Sequence, residues 1–452
     1  MGREFHHGAP RGSTEEGRFS RCGLRALRVL CGESRLGELR RRSGIAVFTL
    51  ISVLAPPIFA QRKPAPAPRA EERVQRYEKV IAEPGAVRRQ GAYWVEEIQG
   101  RAPAAAEIRV ESAEGAIHLI GAAQDDVSYR VVKRVPASNE QNARRILAAH
   151  PLRVLRRQNR LVLVVHTRRP GAVQTEYHVT VPKQTRLADL EARVGAISAR
   201  DIDGTVRAAT AGGGIEVNGI GGDARLETAG GHVTIGSVGG RVIAETGGGN
   251  IRIGSGGGEV QAQTAGGNID VNTAGGAVRA ATAGGNIRIG KAGGDVTAET
   301  AGGSVMVGEA RRVRAATAGG SIRVQNASLV TAETAAGPIH LEGCSGPIRV
   351  GSAAGSIMAR ITAVQMAWGE STIETTAGDI TVYLPNDLRV TIQAAIEMAT
   401  GRHRITSDFP LHLQSAEGPG PREIVGQGTV NGGGAPLRLR TVSGNIEIRS
   451  VK

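Results

Sequence analysis

Five groups of residues in this chain have types and spacings that could do chemistry. Asp201 and Asp203 lie two apart, which on a strand puts both carboxylates on one face, as acid–base hydrolysis of a sugar bond requires. Gly204 follows them at once, so the pair reads as a turn. The other aspartates between 201 and 360 are Asp223, Asp270 and Asp295, at spacings that do not stack into a cluster. The stretch Gly285-Asn-Ile-Arg-Ile-Gly290-Lys291-Ala292 nearly spells a phosphate-binding loop, but Ala292 stands where a Ser or Thr would hold magnesium. Nine-residue Gly-Gly blocks share the length of the calcium β-roll, yet Ile289 occupies the position where that roll needs Asp. Calcium needs about six or more oxygen ligands, and these blocks offer methyl groups. His118, His166, His178, His232 and His340 are scattered without metal-ligand spacing, and no G-x-S-x-G elbow occurs. Of three cysteines, Cys22 and Cys31 fall near the start, leaving Cys344 as a small residue near a turn with no partner for a disulfide. No catalytic, cofactor-binding or metal-ligating residue is assigned, and no cofactor is expected.

The elements that carry these residues form a repeat. From Thr264 the chain reads TAGGNIDVN, TAGGAVRAA, TAGGNIRIG, KAGGDVTAE. One kind of block ends in two large residues, as in Ile251/Ile253, Ile269/Val271 and Ile287/Ile289. The other ends in a large residue and alanine, as in Val260/Ala262, Val278/Ala280 and Val296/Ala298. The full period is eighteen, marked by Thr210, Thr228, Thr246, Thr264, Thr282 and Thr300, and it shortens by one to Thr317 and Thr334. Apolar residues two apart face one side of a strand. The Gly-Gly pairs are expected to turn the chain through positive φ. One coil cannot bury its own Ile and Val, so it must stack on the next. At roughly 4.8 Å per coil, Thr210 to Thr334 gives about seven coils and roughly 35 Å. No Phe, Tyr or Trp occurs between 201 and 360, which suits a narrow core. The expected fold is all-β: a stacked-coil β-solenoid of eighteen-residue coils over 191–360. Outward residues form ladders, with Arg252, Asp270 and Arg288 alternating in sign on one face. Arg207, Arg225, Arg279 and Arg314 line the other, with Glu227, Glu245, Glu299 and Glu333 beside them.

The flanks differ in character. Arg40–Arg42 precede the apolar run Gly44–Ala55, then Pro56-Pro57 and a small residue at Ala60. This reads as a secretory signal cut before Gln61, or as an uncleaved N-terminal anchor. The run is too short for a comfortable membrane span. Residues 61–105 begin with a Pro/Ala-rich stretch and read as an extended linker with one short helix. Residues 106–190 read as an N-terminal cap of strands plus a short helix with Ser138 as N-cap and Gln141 at the capping-box position. Residues 361–452 read as final coils and a C-terminal cap. Of the 64 glycines, 38 lie between 201 and 360, so glycine richness belongs to the repeat and not to a disordered linker. The formal charge of +14 is diffuse. It suits an anionic polymer or lipid headgroup, while interspersed acids and missing aromatics argue against nucleic acid.

These features resemble the bacterial "putative adhesin" family, also called toast-rack domains, over roughly 106–452. The resemblance rests on the lead-in Val179-Thr-Val-Pro182, the G-x-I-x-I coils, Gly378-Asp-Ile-Thr-Val-Tyr-Leu-Pro385 and the terminal Ser443-Gly-Asn-Ile-Glu-Ile448. It implies a β-solenoid fold, an envelope location and no catalytic residues. The expected role is an exported, non-enzymatic structural or interaction protein of the periplasm, envelope or cell exterior. Its partner would be an envelope component, protein or anionic polymer, with membrane contact only through an uncleaved anchor. The alternative is a solenoid carbohydrate-active enzyme on an anionic polysaccharide, which would need the convergent acids that the sequence does not show.

Overall fold

The computed structural model describes residues 78–80, 85–166, 171–362, 369–399, 403–415 and 422–451. The chain divides into two units, 1–61 and 62–452, and every described residue belongs to the second. The leader expected over 1–60 lies outside the described residues. Among these there are thirty-five strands and one helix.

Alternate strands pair in parallel and in register, so each coil contributes one strand to each of two ladders. The first ladder joins Val260–Thr264 to Val278–Thr282 and then to Val296–Thr300. The second joins Ile251–Gly256 to Ile269–Ala274 and Ile287–Ala292. Ile287 stands against Ile269 and Val305, and Ile289 against Val271 and Val307. All are essentially inaccessible and belong to one continuous apolar core that runs from Ile98 to Ile448. The alternation of buried and open positions assigns inside and outside as the two-residue period demands. Each strand also sends a third small residue inward: Ala274 and Ala292 on one ladder, Thr264 and Thr282 on the other. The shortened coils have a simple cause. Strands Val305–Thr317 and Ile322–Thr334 run through the second corner without a Gly-Gly pair, each spanning both ladders.

The glycine pairs act differently from the expectation. Gly249, Gly267, Gly285 and Gly303 are not in the left-handed region. What they lack is room. A Cβ on Gly285 would lie 2.0 Å from the carbonyl oxygen of Gly267, one coil below, and a Cβ on Gly267 would lie 1.9 Å from that of Gly249. The coils touch backbone to backbone there. The preceding glycine of each pair has space: Gly248 meets nothing within 4 Å and Gly284 nothing nearer than 3.7 Å. The chain itself shows the difference, since Ala336 and Ala354 fill the roomy position while Gly337 and Gly355 keep the crowded one.

Both ends of the stack are closed by the same device. Glu107–Glu114 and Ile117–Ala122, the first strands of the expected cap, form a full coil on Leu187–Val194 and Ile197–Ile202. Arg160–Val165 and Gln174–Pro182 then lie outside them. At the other end the terminal strands Pro436–Ser443 and Ile446–Val451 slip in against Ser371–Ala377 and Ile380–Pro385. The earlier strands Val390–Ala399 and Ile405–Ser407 cover them. Antiparallel strands flank both outer coils and cover edges that would otherwise be open to pairing.

Residues 87–103, expected as linker with a short helix, are strand: Val87–Gln90 pairs with Tyr93–Pro103, which pairs with Asp126–Val135. Trp94 donates its indole N–H to the Ala137 carbonyl at 3.1 Å. The helix spans Glu140–Ala149 and is capped by Asn139, not Ser138. Asn139 has extended φ and ψ, and its side chain accepts from the Asn142 N–H at 2.9 Å, so the helix opens one residue later. Its far end rests on the buried Lys133, which donates to the carbonyls of His150 (3.1 Å) and Leu147 (3.4 Å) and pairs with buried Glu96. A cation suits the negative end of a helix.

The inside–outside assignment is directly testable. Ile289→Asp places an unpaired carboxylate in a dry core and should cost on the order of several kcal/mol. The neighbouring, exposed Arg288→Asp should leave amide protection in the central coils close to wild type. Hydrogen exchange on the two variants checks this, and a reversed ranking contradicts the coil assignment.

Candidate functional site

The outward face of each ladder is the surface that a partner would meet. On the first ladder Arg207 stands in register beside Arg225, and Glu227 beside Glu245. Arg225 pairs with Glu227 on its own strand, and Arg279 with Glu259. Nearer the N-terminal end the charges knit more tightly. Arg109 reaches Glu111 at 2.6 Å, Asp189 at 3.0 Å and Glu191 at 2.7 Å, so one guanidinium joins two coils. On the second ladder Arg252, Asp270 and Arg288 are in register in that order.

The candidate acids do not converge. Asp201 sits at φ +58° within the strand Ile197–Ile202, at a gap in the ladder between Arg200 and Ile202, and of the pair only Asp203 lies at the bend with Gly204. Asp223 accepts from the Arg241 N–H at 2.8 Å, and Asp295 pairs with Arg311 and Arg312. Among the described residues no group of three His, Cys, Asp or Glu side chains could hold a metal ion. Lys291, the would-be phosphate-loop lysine, lies in the strand Ile287–Ala292 and pairs with Glu309 at 3.0 Å. Cys344 is buried in the core, which pushes its thiol up to about 12 and leaves it a small apolar residue.

One grouping is not visible in the sequence. His118 and His178 are sixty residues apart yet stack at 5.0 Å between ring centroids, 17° from parallel. Their strands pair in register, so their outward side chains must meet. His178 bonds Glu176 at 2.9 Å, and Arg134 holds the other carboxylate oxygen at 2.7 Å. Burial, then the neighbouring His178, lowers the pKa of His118 below the ordinary imidazole value, against the pull of Glu176. The expectation that the histidines are scattered fails here, because only the long-range pairing of 117–122 with 174–182 brings them together.

The fold and these faces define a parallel β-solenoid with a dry core, charged outer ladders and closed ends. The chain belongs to the Toastrack DUF4097 family, whose model matches residues 171–449. No curated protein matches it. Solved structures similar to it include two titled as adhesion proteins. One is titled a putative cell adhesion protein from Clostridium sporogenes, 7% identical, covering 78% of this chain and 99% of the other at a TM-score of 0.13. The second is titled a putative adhesin from Bacteroides fragilis, 12% identical, covering 78% of this chain and 97% of the other at a TM-score of 0.19.

The histidine stack makes the N-terminal coils sensitive to acid. A His with a depressed folded pKa binds fewer protons folded than unfolded, so stability rises with pH across the range between the two values. It falls as pH drops below the ordinary imidazole value. Urea midpoints compared near about pH 5 and about pH 7 should show this loss, and His118→Asn should flatten it. An unchanged slope in the variant contradicts the assignment.

Proposed function

We propose that this protein is an exported, adhesin-like interaction protein of the bacterial cell envelope that presents a rigid solenoid surface to a partner and catalyses nothing. The observation that carries this reading is the use to which the polar residues are put. Many of the acids at the coil faces and corners are engaged by neighbouring N–H groups or guanidiniums, as with Asp223, Asp295 and Glu227, and Asp270 stands in register between Arg252 and Arg288. A hydrolase or lyase would need two or more of them free and converging on one point. A stack of coils with its core filled throughout has instead a long, regular exterior, which is suited to contact over an extended area. Membership of the Toastrack family supports the reading. Among the described residues no helix is long and apolar enough to cross a membrane.

Fractionation of producing cells with N-terminal sequencing tests the location. The protein should appear in the envelope or medium and begin at Gln61. Recovery from the cytoplasm with its leader intact contradicts export. Purified protein should turn over neither polyuronates nor cell-wall glycans. Turnover that Asp201→Asn or Asp203→Asn abolishes would overturn the non-enzymatic reading.

A further inference from the structure

The two faces of the solenoid are not equivalent. On the first ladder Arg225 and Arg279 pair with Glu227 and Glu259, and the column Arg279, Thr297, Arg314, Thr331, Arg349, whose last two arginines have no ion pair among the described residues, shares its face with Glu299 and Glu333 two residues further along the strands. On the second, one outward column runs in register through Arg252, Asp270, Arg288, Met306 and Arg323. Its three arginines are exposed, and each stands two coils from the next. Among the described residues no carboxylate lies within ion-pair distance of them, although Asp270 is their neighbour in register. Two residues further along the same strands come Gly254, Asn272, Gly290, Gly308 and Gln325, so three of the five positions beside the column are bare backbone. At two of these glycines a side chain would crowd the coil below: a Cβ on Gly290 would lie 2.5 Å from the Asn272 carbonyl, and one on Gly308 2.3 Å from that of Gly290. The opposite flank is a ladder of exposed asparagines. The Oδ1 of Asn250 accepts from the Asn268 N–H, that of Asn268 from the Asn286 N–H and that of Asn286 from the Ser304 N–H, each at 2.8 Å. With its oxygen engaged, each amide has its Nδ2 hydrogens left as donors to solvent.

The result is a flat lane along the solenoid axis with guanidiniums at intervals of roughly 9.6 Å, twice the strand spacing. We propose that this lane binds a linear acidic polysaccharide carrying one carboxylate per disaccharide, laid along the stack. The proposal deepens the adhesin-like reading and rests on it. Two coils match the advance of one disaccharide in an extended glycan, so successive carboxylates meet successive arginines, which bind them through paired N–H groups. The asparagine amides can donate to sugar hydroxyls in between. Asp270 fills the coil between Arg252 and Arg288 and repels a carboxylate there, which favours a charge at every second coil. A nucleic acid fits poorly, because its phosphates are far denser than this interval and the lane has no aromatic platform for bases.

The test titrates the full chain with hyaluronan (one carboxylate per disaccharide), polygalacturonate (one per monosaccharide), dextran and a DNA duplex. Hyaluronan should bind saturably, more weakly with added salt, and more tightly than the other three. Changing Arg252, Arg288 and Arg323 together to Ser should weaken it on the order of tenfold or more, and Asp270→Asn should strengthen it. Changing Arg207, Arg314 and Arg349 on the other ladder to Ser should leave it unchanged, with both triple variants melting as wild type does. Equal loss in the two triple variants overturns the proposal in favour of diffuse charge. Equal or tighter binding of polygalacturonate or DNA overturns the spacing argument. If hyaluronan does not bind but the protein is still retained on isolated envelopes, the lane falls and the envelope reading stands. Loss of envelope retention as well removes both.

Discussion

One hydrogen bond sets the geometry on which the rest of this molecule depends. At each coil a buried threonine donates its hydroxyl to a glycine carbonyl of the coil below and accepts the N–H of the glycine three residues ahead. Thr282 bonds the Gly267 carbonyl at 2.9 Å and the Gly285 N–H at 3.2 Å. Thr264 and Thr300 do the same with Gly249 and Gly267, and with Gly285 and Gly303. The corner therefore satisfies two backbone groups that the ladders leave unpaired, at a place closed to water. The bond also explains the glycine. The Gly267 carbonyl that takes the Thr282 hydroxyl is the same atom that a Cβ on Gly285 would strike. Threonine and glycine are two halves of one contact. Where the hydroxyl residue becomes Ser352, Thr375 or Thr441, the bond persists, to Gly337, Gly355 and Gly378.

Locking that corner fixes the vertical register, and the register decides everything placed on the faces. Along its ladder Ile287 meets Ile269 and Val305, so the core fills with matched side chains. Outside, the same constraint makes columns of residues one period apart in sequence. The arginine column of the second ladder, the asparagine ladder beside it and the glycine floor are three readings of a single period. The histidine stack follows from it too, since His118 and His178 occupy one column.

The period makes most of this legible in sequence. Eighteen-residue spacing with apolar residues two apart is enough to place Ile289 inside and Arg288 outside, and the shorter coils at Thr317 and Thr334 announce their lost corner. The role of the threonines is not legible in the same way. They mark the period, but a hydroxyl bonding a carbonyl fifteen residues back requires knowing which strands stack. The glycines mislead for a related reason: a Gly-Gly pair commonly signals positive φ, whereas here the constraint is a neighbouring backbone. The period calls for glycine at the places that Ala336 and Ala354 occupy, and those two exceptions already hold the clue that at the threonine corner only the second residue of the pair must lack a side chain. At the ends, the insertion of Pro436–Ser443 beneath Val390–Ala399 reverses chain order, and no local pattern records that.

The central claim is that the threonine corner holds the coils in register, and Thr282 is the place to ask. Thr282→Val keeps the shape and the branched Cβ but leaves the Gly267 carbonyl and the Gly285 N–H without a partner, at a cost of about 1–3 kcal/mol for each buried group. Thr282→Ser keeps the hydroxyl. Native-state hydrogen exchange at the Gly285 amide, with urea denaturation of the same proteins, is the direct measurement. The account predicts that valine strips protection from Gly285 and lowers stability by a few kcal/mol, while serine preserves protection. Valine and serine variants with equal protection at Gly285 would contradict it.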